Sequence, residues 1–232
     1  MAEAIQIGDP AIEIRLRRHP RARRMVLRLG QGVGAPTLTL PPSVSLTRAR
    51  AFALDQEGWL RSRLAAAPGR VAVRAGLSLP YRGGALTLLA RPAGRTVLSG
   101  GVLHVAGTEA TLAPRAAAFL REAARQRCLA ASEAHAARLG LRFGRVTIRD
   151  TRGRWGSCTA AGDLMYSWRL ILAPDAVLDY VAAHEVAHLA EMNHSPCFWA
   201  VVARLTPDFA APRDWLRRHG AELMAYDFGS RD

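Results

Sequence analysis

Three of the seven histidines in this 232-residue chain, His184, His188 and His194, fall in one window of eleven residues. Residues four apart stack on one face of an α-helix, so His184 and His188 can present their imidazoles to a single metal ion. Glu185 projects beside them and need not be a ligand. Three protein ligands leave a fourth position open for water, as in a catalytic zinc site, so we expect one Zn²⁺ per chain.

The third histidine can join the site only if the chain reverses after the helix that carries the first two. The Asn193–Pro196 segment permits this, because Asn tolerates a left-handed helix end, Ser195 can cap a new helix and the proline suits its first turn. Cys197 is a rival ligand three residues after His194. On a helix that begins at Pro196 we expect this cysteine to pack inward, and we therefore assign His194 as the third ligand.

The chemistry that this arrangement predicts is hydrolysis. A bound metal ion lowers the pKa of its water, and Glu185 can accept the proton while the water attacks a metal-polarised carbonyl. The pattern therefore predicts a zinc-dependent metallopeptidase that cleaves peptide or protein substrates through a metal-activated water, with Glu185 as the general base. The alternative without chemistry is a helix whose histidines are satisfied by ordinary hydrogen bonds.

The elements that must position these residues follow from the hydrophobic pattern. The metal-binding helix is predicted to begin at Pro174 or Asp175, because proline suits a first turn. Alternation predicts a strand from Arg145 to Asp150 and a second strand from Leu164 to Leu172, joined by a Gly-rich loop or hairpin. The second strand could line the cleft and pair with an extended substrate, or it could simply pack in the core.

Three other residues near this motif have types that could serve the site. Trp155 could wall a substrate pocket, since the neighbouring Gly156 allows a close approach. Arg169 could steady an oxyanion or a substrate carboxylate, with a surface salt bridge as the alternative. Cys158 could lie near the metal as an inhibitory or redox-sensitive thiol, or it could be a small buried side chain.

The run from Thr151 to Trp199 resembles the YgjP-like metallopeptidases, relatives of the SprT and WLM zincins. The likeness rests on the WGSC element, the WRLI strand, the AP helix start, the HExxH motif and the NHSxxFW segment. The first half, with Arg21-Ala22-Arg23-Arg24 and Leu40-Pro41-Pro42, is also similar to the family. One departure is Ser167, where the resemblance leads us to expect Asn. The resemblance implies a zincin-like catalytic domain with the three histidines on zinc and Glu185 as base.

The whole chain is predicted to be an α+β protein with two parts. Residues 1–113 form an N-terminal β-rich module, with short strands between Ile12 and Leu40 and a helix capped by Ser45 or Thr47 that runs to about Ala66. Residues 114–232 form the zincin-like metallopeptidase domain, whose first element is a connecting helix over 114–140. Further helices are expected after Pro196 and over about 213–225.

Composition excludes several classes of protein. Hydrophobic residues make up 50% of the chain and charged residues 22%, which is typical of a globular protein and not of a disordered one. There is no apolar run long enough to cross a bilayer and no secretion signal at the start, so we expect no membrane association. Three cysteines at wide spacing do not form a disulfide framework, which favours a reducing cytoplasm.

The net charge of +13 is unevenly distributed. Residues 1–116 hold 17 Arg against 6 acidic residues, whereas residues 117–232 hold 15 against 13, and the chain contains no lysine. Arginines between positions 15 and 28 could hold nucleic acid or nucleotide phosphates, or could protect a solvated strand edge. Two alternative functions follow: a metal-dependent nucleotide pyrophosphohydrolase, and a nucleic-acid-associated protease that processes bound proteins.

Overall fold

The predicted α+β class is confirmed by the computed structural model, which describes residues 3–29, 35–151 and 153–229. It divides into two units, Met1–Gly69 and Arg70–Asp232. The boundary predicted between residues 113 and 114 lies inside the second unit, where a single helix crosses it. That residues 1–113 and 114–232 are separate domains stays a prediction. Within the described ranges, no helix is both long and apolar enough to cross a membrane.

In the first unit, residues 3–29 and 35–69 form a four-stranded sheet and two helices. Its strands lie in the order β1-β2-β4-β3, with β2 and β4 parallel and the outer pairs antiparallel. The elements are β1 (Ala4–Ile7), β2 (Ile12–Arg18), β3 (Val26–Arg28), β4 (Thr37–Leu40), α1 (Leu46–Asp55) and α2 (Glu57–Ala65). Ser45 is the N-cap of α1, as predicted, and its hydroxyl accepts from the Arg48 amide. The single helix predicted here is interrupted at Gln56.

The described residues of the second unit form three small sheets. The first has the order β6-β7-β9-β8, the second β10-β12-β11, and the third pairs β13 with β5. The strands are β5 (Val71–Ala72), β6 (Ser78–Tyr81), β7 (Gly84–Arg91), β8 (Val97–Ser99), β9 (Val102–Ala106), β10 (Val146–Arg149), β11 (Gly156–Cys158), β12 (Leu164–Ser167) and β13 (Tyr226–Asp227). The sheet of β10, β12 and β11 lies beside the candidate site, because β11 packs on the helix over Asp175–Ala187, which carries His184 and Glu185.

Within the part of the second unit that the structure describes, the α-helices are α3 (Glu109–Leu139), α4 (Asp175–Ala187), α5 (Pro196–Leu205) and α6 (Ala210–Ala225). The helix predicted to begin at Pro114 begins five residues earlier, because Thr108 and Thr111 form a capping box ahead of the proline. Its end at Gly140, which is left-handed with φ 67°, agrees with the prediction. α4 packs against α3, α5 and α6, so the two helical histidines lie within the helical part of this unit.

The strand predicted from Leu164 to Leu172 is wrong in its second half. β12 ends at Ser167, and Trp168–Leu172 form a fully buried 3₁₀ helix. A short apolar run buried on all sides has no period that separates strand from helix, so the pattern could not locate this change. β12 is also the central strand of its sheet, with β10 parallel on one side and β11 antiparallel on the other. Both of its edges are occupied, so β12 packs in the core and has no edge for a substrate.

Candidate metal centre

The three histidines predicted from spacing converge in the structure. One ring nitrogen from each of His184, His188 and His194 lies within 4.8 Å of the others. The ring centroids are 5.1 Å apart for His184 and His188, 5.1 Å for His184 and His194, and 4.8 Å for the remaining pair. His184 lies in the last turn of α4 and His188 caps its end, which places both imidazoles at the same end of the helix.

The donor atoms fit a small divalent cation. The Nε2 atoms of His184 and His194 are 3.1 Å apart. Two nitrogens bound to one tetrahedral zinc ion, each about 2.0–2.1 Å from it, lie about 3.3 Å from each other. Burial, together with the neighbouring imidazoles and Arg213, lowers the pKa of His184 to about 4, and burial also lowers the pKa of His188. These two imidazoles are therefore neutral at pH 7 and keep the lone pairs that a metal needs.

A backbone contact fixes which nitrogen His188 offers. Its Nδ1 lies 3.0 Å from the carbonyl oxygen of Glu191. A carbonyl only accepts, so Nδ1 donates and Nε2 keeps the free lone pair. The Nδ1 of His184 is buried and has no hydrogen-bond partner among the described residues, so packing and the contact of its Nε2 with His194 orient this ring.

The chain reversal that brings His194 to the site is built by the Asn193–Pro196 segment. The Ser195 hydroxyl accepts from the Phe198 amide at the start of α5, and Pro196 occupies the first turn, as predicted. Asn193 acts differently from the prediction: its side-chain oxygen accepts from the Ser195 amide, and its backbone is not left-handed. The turn is therefore held by side-chain hydrogen bonds.

α5 supplies the floor of the cluster. Phe198 is fully buried, and its ring centroid lies 4.9, 4.5 and 4.8 Å from those of His184, His188 and His194. The inward packing predicted for Cys197 is wrong, since this side chain is exposed. Successive residues on a helix point about 100° apart, so an inward Phe198 turns its neighbour toward solvent.

Glu185 lies on the buried side of α4, where it is 5% exposed. Burial raises the pKa of its carboxyl to about 8, and the charge of Arg154 opposes this shift. Gly156 at the start of β11 lies directly against it, since a Cβ at position 156 would be only 2.6 Å from Glu185 Cγ. A glycine is therefore required at this point of β11, which agrees with the close approach predicted from sequence.

Arg169 is placed away from the cluster, in a buried ion pair. Its Nε donates to Asp150 Oδ1 at 2.6 Å and its Nη2 to Oδ2 at 3.2 Å. Its Nη1 donates to the backbone carbonyls of Leu223 and Tyr226. The salt bridge weighed for Arg169 is thus present, but inside the protein and not at its surface. A contact between Arg169 and substrate stays a prediction.

Trp155 directly precedes β11, and Cys158 is the last residue of that strand. The Trp155 indole packs against Gly220 of α6, and among the described residues it makes no ring contact with the three histidines. Its role as a pocket wall stays a prediction. Cys158 is half-buried, its Sγ donates to the Thr159 carbonyl, and burial raises the pKa of its thiol to about 11 with further contributions from Glu185 and Asp163.

An aromatic wall next to His184 was not identified from the sequence. Tyr180 and Trp199 lie 6.1 and 5.9 Å from the His184 ring, and Phe209 stacks on both of them at 6.5 and 5.5 Å. Tyr180 stands four residues before His184, so helical spacing could have indicated it. Phe209 comes from the start of α6, which no local pattern connects to α4.

Comparison with known proteins gives one family match. The family model of the YgjP-like metallopeptidase domain matches residues 23–219, which include all the site residues predicted above. No curated protein matches the chain. One similar solved structure is the crystal structure of the metallopeptidase zymogen of Pyrococcus abyssi abylysin, which is 21% identical. The likeness covers 40% of this chain and 92% of that chain, with a TM-score of 0.36.

Proposed function

The chain belongs to the YgjP-like metallopeptidase family, and we propose that it hydrolyses peptide bonds with one zinc ion held by His184, His188 and His194 and with Glu185 as general base. The observation that carries this proposal is the convergence of three imidazoles beside the buried carboxyl of Glu185, which does not belong to the group of possible metal ligands. Zinc held by these residues would lower the pKa of a bound water molecule and polarise the scissile carbonyl.

Glu185 moves the proton in this scheme. Its position next to His184 on α4 places the carboxyl beside the metal ligands and outside the set of three. From this position the ionised carboxylate of Glu185 can take a proton from the attacking water and later deliver it to the amine that leaves. Gly156 holds the opposite side of this carboxyl and limits where it can move.

The substrate strand is proposed to bind along β11. β11 is the edge strand on the side of the sheet that faces α4, and it is antiparallel to β12. An extended peptide added at this edge gains main-chain hydrogen bonds and runs past Glu185, which Gly156 touches. The sequence suggested that the strand beginning at Leu164 pairs with the substrate. We now propose this role for β11, which lies within the preceding loop.

A comparative assay tests the proposal. The zinc-loaded full chain is incubated with a proteome-derived peptide mixture and, separately, with the four ribonucleoside triphosphates. We expect new peptide termini by mass spectrometry, lost on chelation and in the isosteric Glu185→Gln control. Release of pyrophosphate without new termini would instead support the nucleotide pyrophosphohydrolase.

A second candidate, a nucleic-acid-associated protease, is favoured by the exposed face of the first sheet. The register pairs Arg15 and Arg28 with Thr37 from either side, and Arg17 with Thr39 in the next row. These arginines are exposed and, within the described residues, have no carboxylate partner, whereas Arg18 is bound to Glu3. Neighbouring strands lie about 4.8 Å apart, so the row Arg15–Thr37–Arg28 spans about 10 Å across three strands. It places a threonine hydroxyl between two guanidiniums, and both groups can donate hydrogen bonds to phosphate oxygens.

Salt-dependent binding to single- and double-stranded DNA tests this second candidate. Replacing Arg15, Arg17 and Arg28 by Ala should reduce the slope of log K against log salt by up to about 0.9 for each phosphate that is no longer neutralised. The charge-matched control replaces Arg48, Arg50 and Arg63, which are exposed on α1 and α2 of the same unit. An equal effect of both triple variants, or no binding at low salt, would leave the face as a solvated surface.

We place the protein in the cytoplasm on the composition argument above.

A further inference from the structure

An arginine without an acidic partner stands beside the metal centre. Arg213, in the first turn of α6, has its guanidinium 4.6 Å above the ring of Trp199. It is exposed and forms no ion pair with any described residue. The contrast is on the same helix, where Arg217 and Arg218 both bind Asp214.

The surroundings of Arg213 connect it to the metal ligands. The Trp199 ring lies 5.9 Å from that of His184 and 6.0 Å from that of His194. Phe209 extends the same wall to Tyr180. Burial lowers the pKa of His184 and raises the pKa of Tyr180. The positive charge of Arg213 adds to the first shift and opposes the second, so it reaches across this wall to the site.

A cation at this place opposes the binding of a metal cation by the neighbouring histidines. The aromatic wall does not need it, because Tyr180, Phe209 and Trp199 pack on one another without it. The charge becomes favourable once an anion arrives. A guanidinium offers a fixed fork of donors that matches a carboxylate, and stacking on an indole holds that fork in one orientation.

We propose that Arg213, held on the face of Trp199, recognises a carboxylate of the peptide substrate and makes the enzyme prefer peptides that carry one close to the scissile bond. The proposal rests on the peptidase function proposed above. The carboxylate belongs either to an internal Asp or Glu or to the C-terminus of the peptide. Arg213 is thus a specificity-determining residue outside the metal ligands and the general base.

Binding to the zinc-loaded Glu185→Gln protein tests the proposal without turnover. The probes are fluorescein-labelled decapeptides of one neutral sequence with an amidated end, in which a single Asp or a single Asn is moved along the chain. A further neutral decapeptide has a free C-terminal carboxylate. We expect at least one Asp position, or the free C-terminus, to bind about tenfold more tightly than its neutral counterpart, with the difference decreasing as salt rises.

Variants assign this preference to a residue. Arg213→Ala should remove the tenfold difference and leave the neutral peptides within twofold, and Arg213→Lys should restore part of it. Arg95→Ala removes the same charge from an exposed residue of the turn between β7 and β8, and should keep the preference. Arg154→Ala removes the other arginine whose charge reaches the site.

The outcomes separate the two proposals. The assignment of Arg213 is overturned if carboxylate and neutral peptides bind equally well or if none of them binds. It is also overturned if the preference survives Arg213→Ala, or if Arg95→Ala or Arg154→Ala removes the preference instead. None of these results changes whether the wild-type protein cleaves peptides in the comparative assay. Absence of cleavage there, with an Arg213-dependent preference here, overturns the peptidase proposal and leaves a carboxylate-binding site.

Discussion

The histidine cluster and the surroundings of Arg169 are two polar regions of the same unit with opposite bonding states. In the cluster, nitrogens of His184 and His194 face each other at 3.1 Å, where at most one proton can lie between them. Around Arg169, two Asp150 oxygens and two backbone carbonyls accept from the guanidinium, and Trp168 lies 4.9 Å from it. The histidine cluster is suited to a cation, whereas the guanidinium of Arg169 already has its acceptors inside the protein.

This difference shows how a polar residue that stabilises the fold is told from one that does chemistry. Both kinds were candidates by residue type, since arginine and histidine recur in active sites. The guanidinium of Arg169 donates four of its five N–H groups inside the protein, which leaves at most one for a substrate. Removal of one partner of such a buried pair leaves an uncompensated charge. Two imidazole nitrogens that face each other share at most one proton, so at least one lone pair points into the cluster. Variants of both regions, and of the residues around them, test this contrast.

Replacing both helix histidines should break the cluster. The His184→Ala, His188→Ala protein should fall from about one zinc per chain to almost none, because a single imidazole cannot hold the ion. Metal analysis after dialysis measures this, with His219→Ala as a control that removes a histidine bound to Glu222 on α6. Full zinc retention in the double variant would contradict the ligand assignment.

Glu185→Gln should separate metal binding from turnover. The amide fills the same buried space but cannot accept a proton, so we expect peptide hydrolysis to fall by about 10²- to 10⁴-fold with zinc content unchanged. Initial rates and metal analysis on the same sample check both parts. Loss of zinc would make Glu185 a ligand, and near wild-type rates would remove it from the mechanism.

Arg169→Met should affect stability instead of the metal. It leaves Asp150 buried without its partner, so we expect a loss of about 3–5 kcal/mol in the free energy of unfolding. Urea denaturation at fixed zinc concentration measures it. Arg145→Met, which breaks an exposed pair with Asp163, should cost less than about 1 kcal/mol. A stable Arg169→Met protein with weakened peptide binding would favour the substrate role that the sequence suggested.

Gly156→Val should displace the base without touching a ligand. The new Cβ would lie 2.6 Å from Glu185 Cγ, so the carboxyl must move, and a shift of about 1 Å can cost up to about 100-fold in rate. Gly153→Val is the matched control, because a Cβ there meets open space. Comparable rates in both variants would show that β11 does not position Glu185.

Cys158 should be the least reactive of the partly accessible thiols at neutral pH. Its pKa is raised to about 11, so the thiolate fraction stays small until the pH approaches that value, and alkylation should accelerate steadily up to there. Iodoacetamide labelling followed by peptide mapping should find the exposed Cys197 modified first. Fast labelling of Cys158 at pH 7 would instead support a redox-sensitive thiol near the metal.

The sequence predicted the clustering of the three histidines better than the surroundings of the cluster. Spacing within one helix, capping at Ser195 and the first-turn proline are local signals, and they correctly placed His184, His188 and His194 together. The 3₁₀ helix after Ser167 and the outward turn of Cys197 depend on tertiary packing, which no local pattern reports. The same holds for Arg169, whose partners come from distant parts of the chain, and for Arg213, which only the approach of α6 brings to the site.

Anomalous diffraction at the zinc absorption edge, from crystals of the zinc-loaded full chain, tests the ligand set itself. We expect one anomalous peak per chain, bound to the Nε2 atoms of His184, His188 and His194 at about 2.0–2.1 Å, with Glu185 close by but not coordinated. A peak bound by the Cys197 thiolate in place of His194, a peak ligated by Glu185, or the absence of any peak between these histidines would contradict the proposed metal centre.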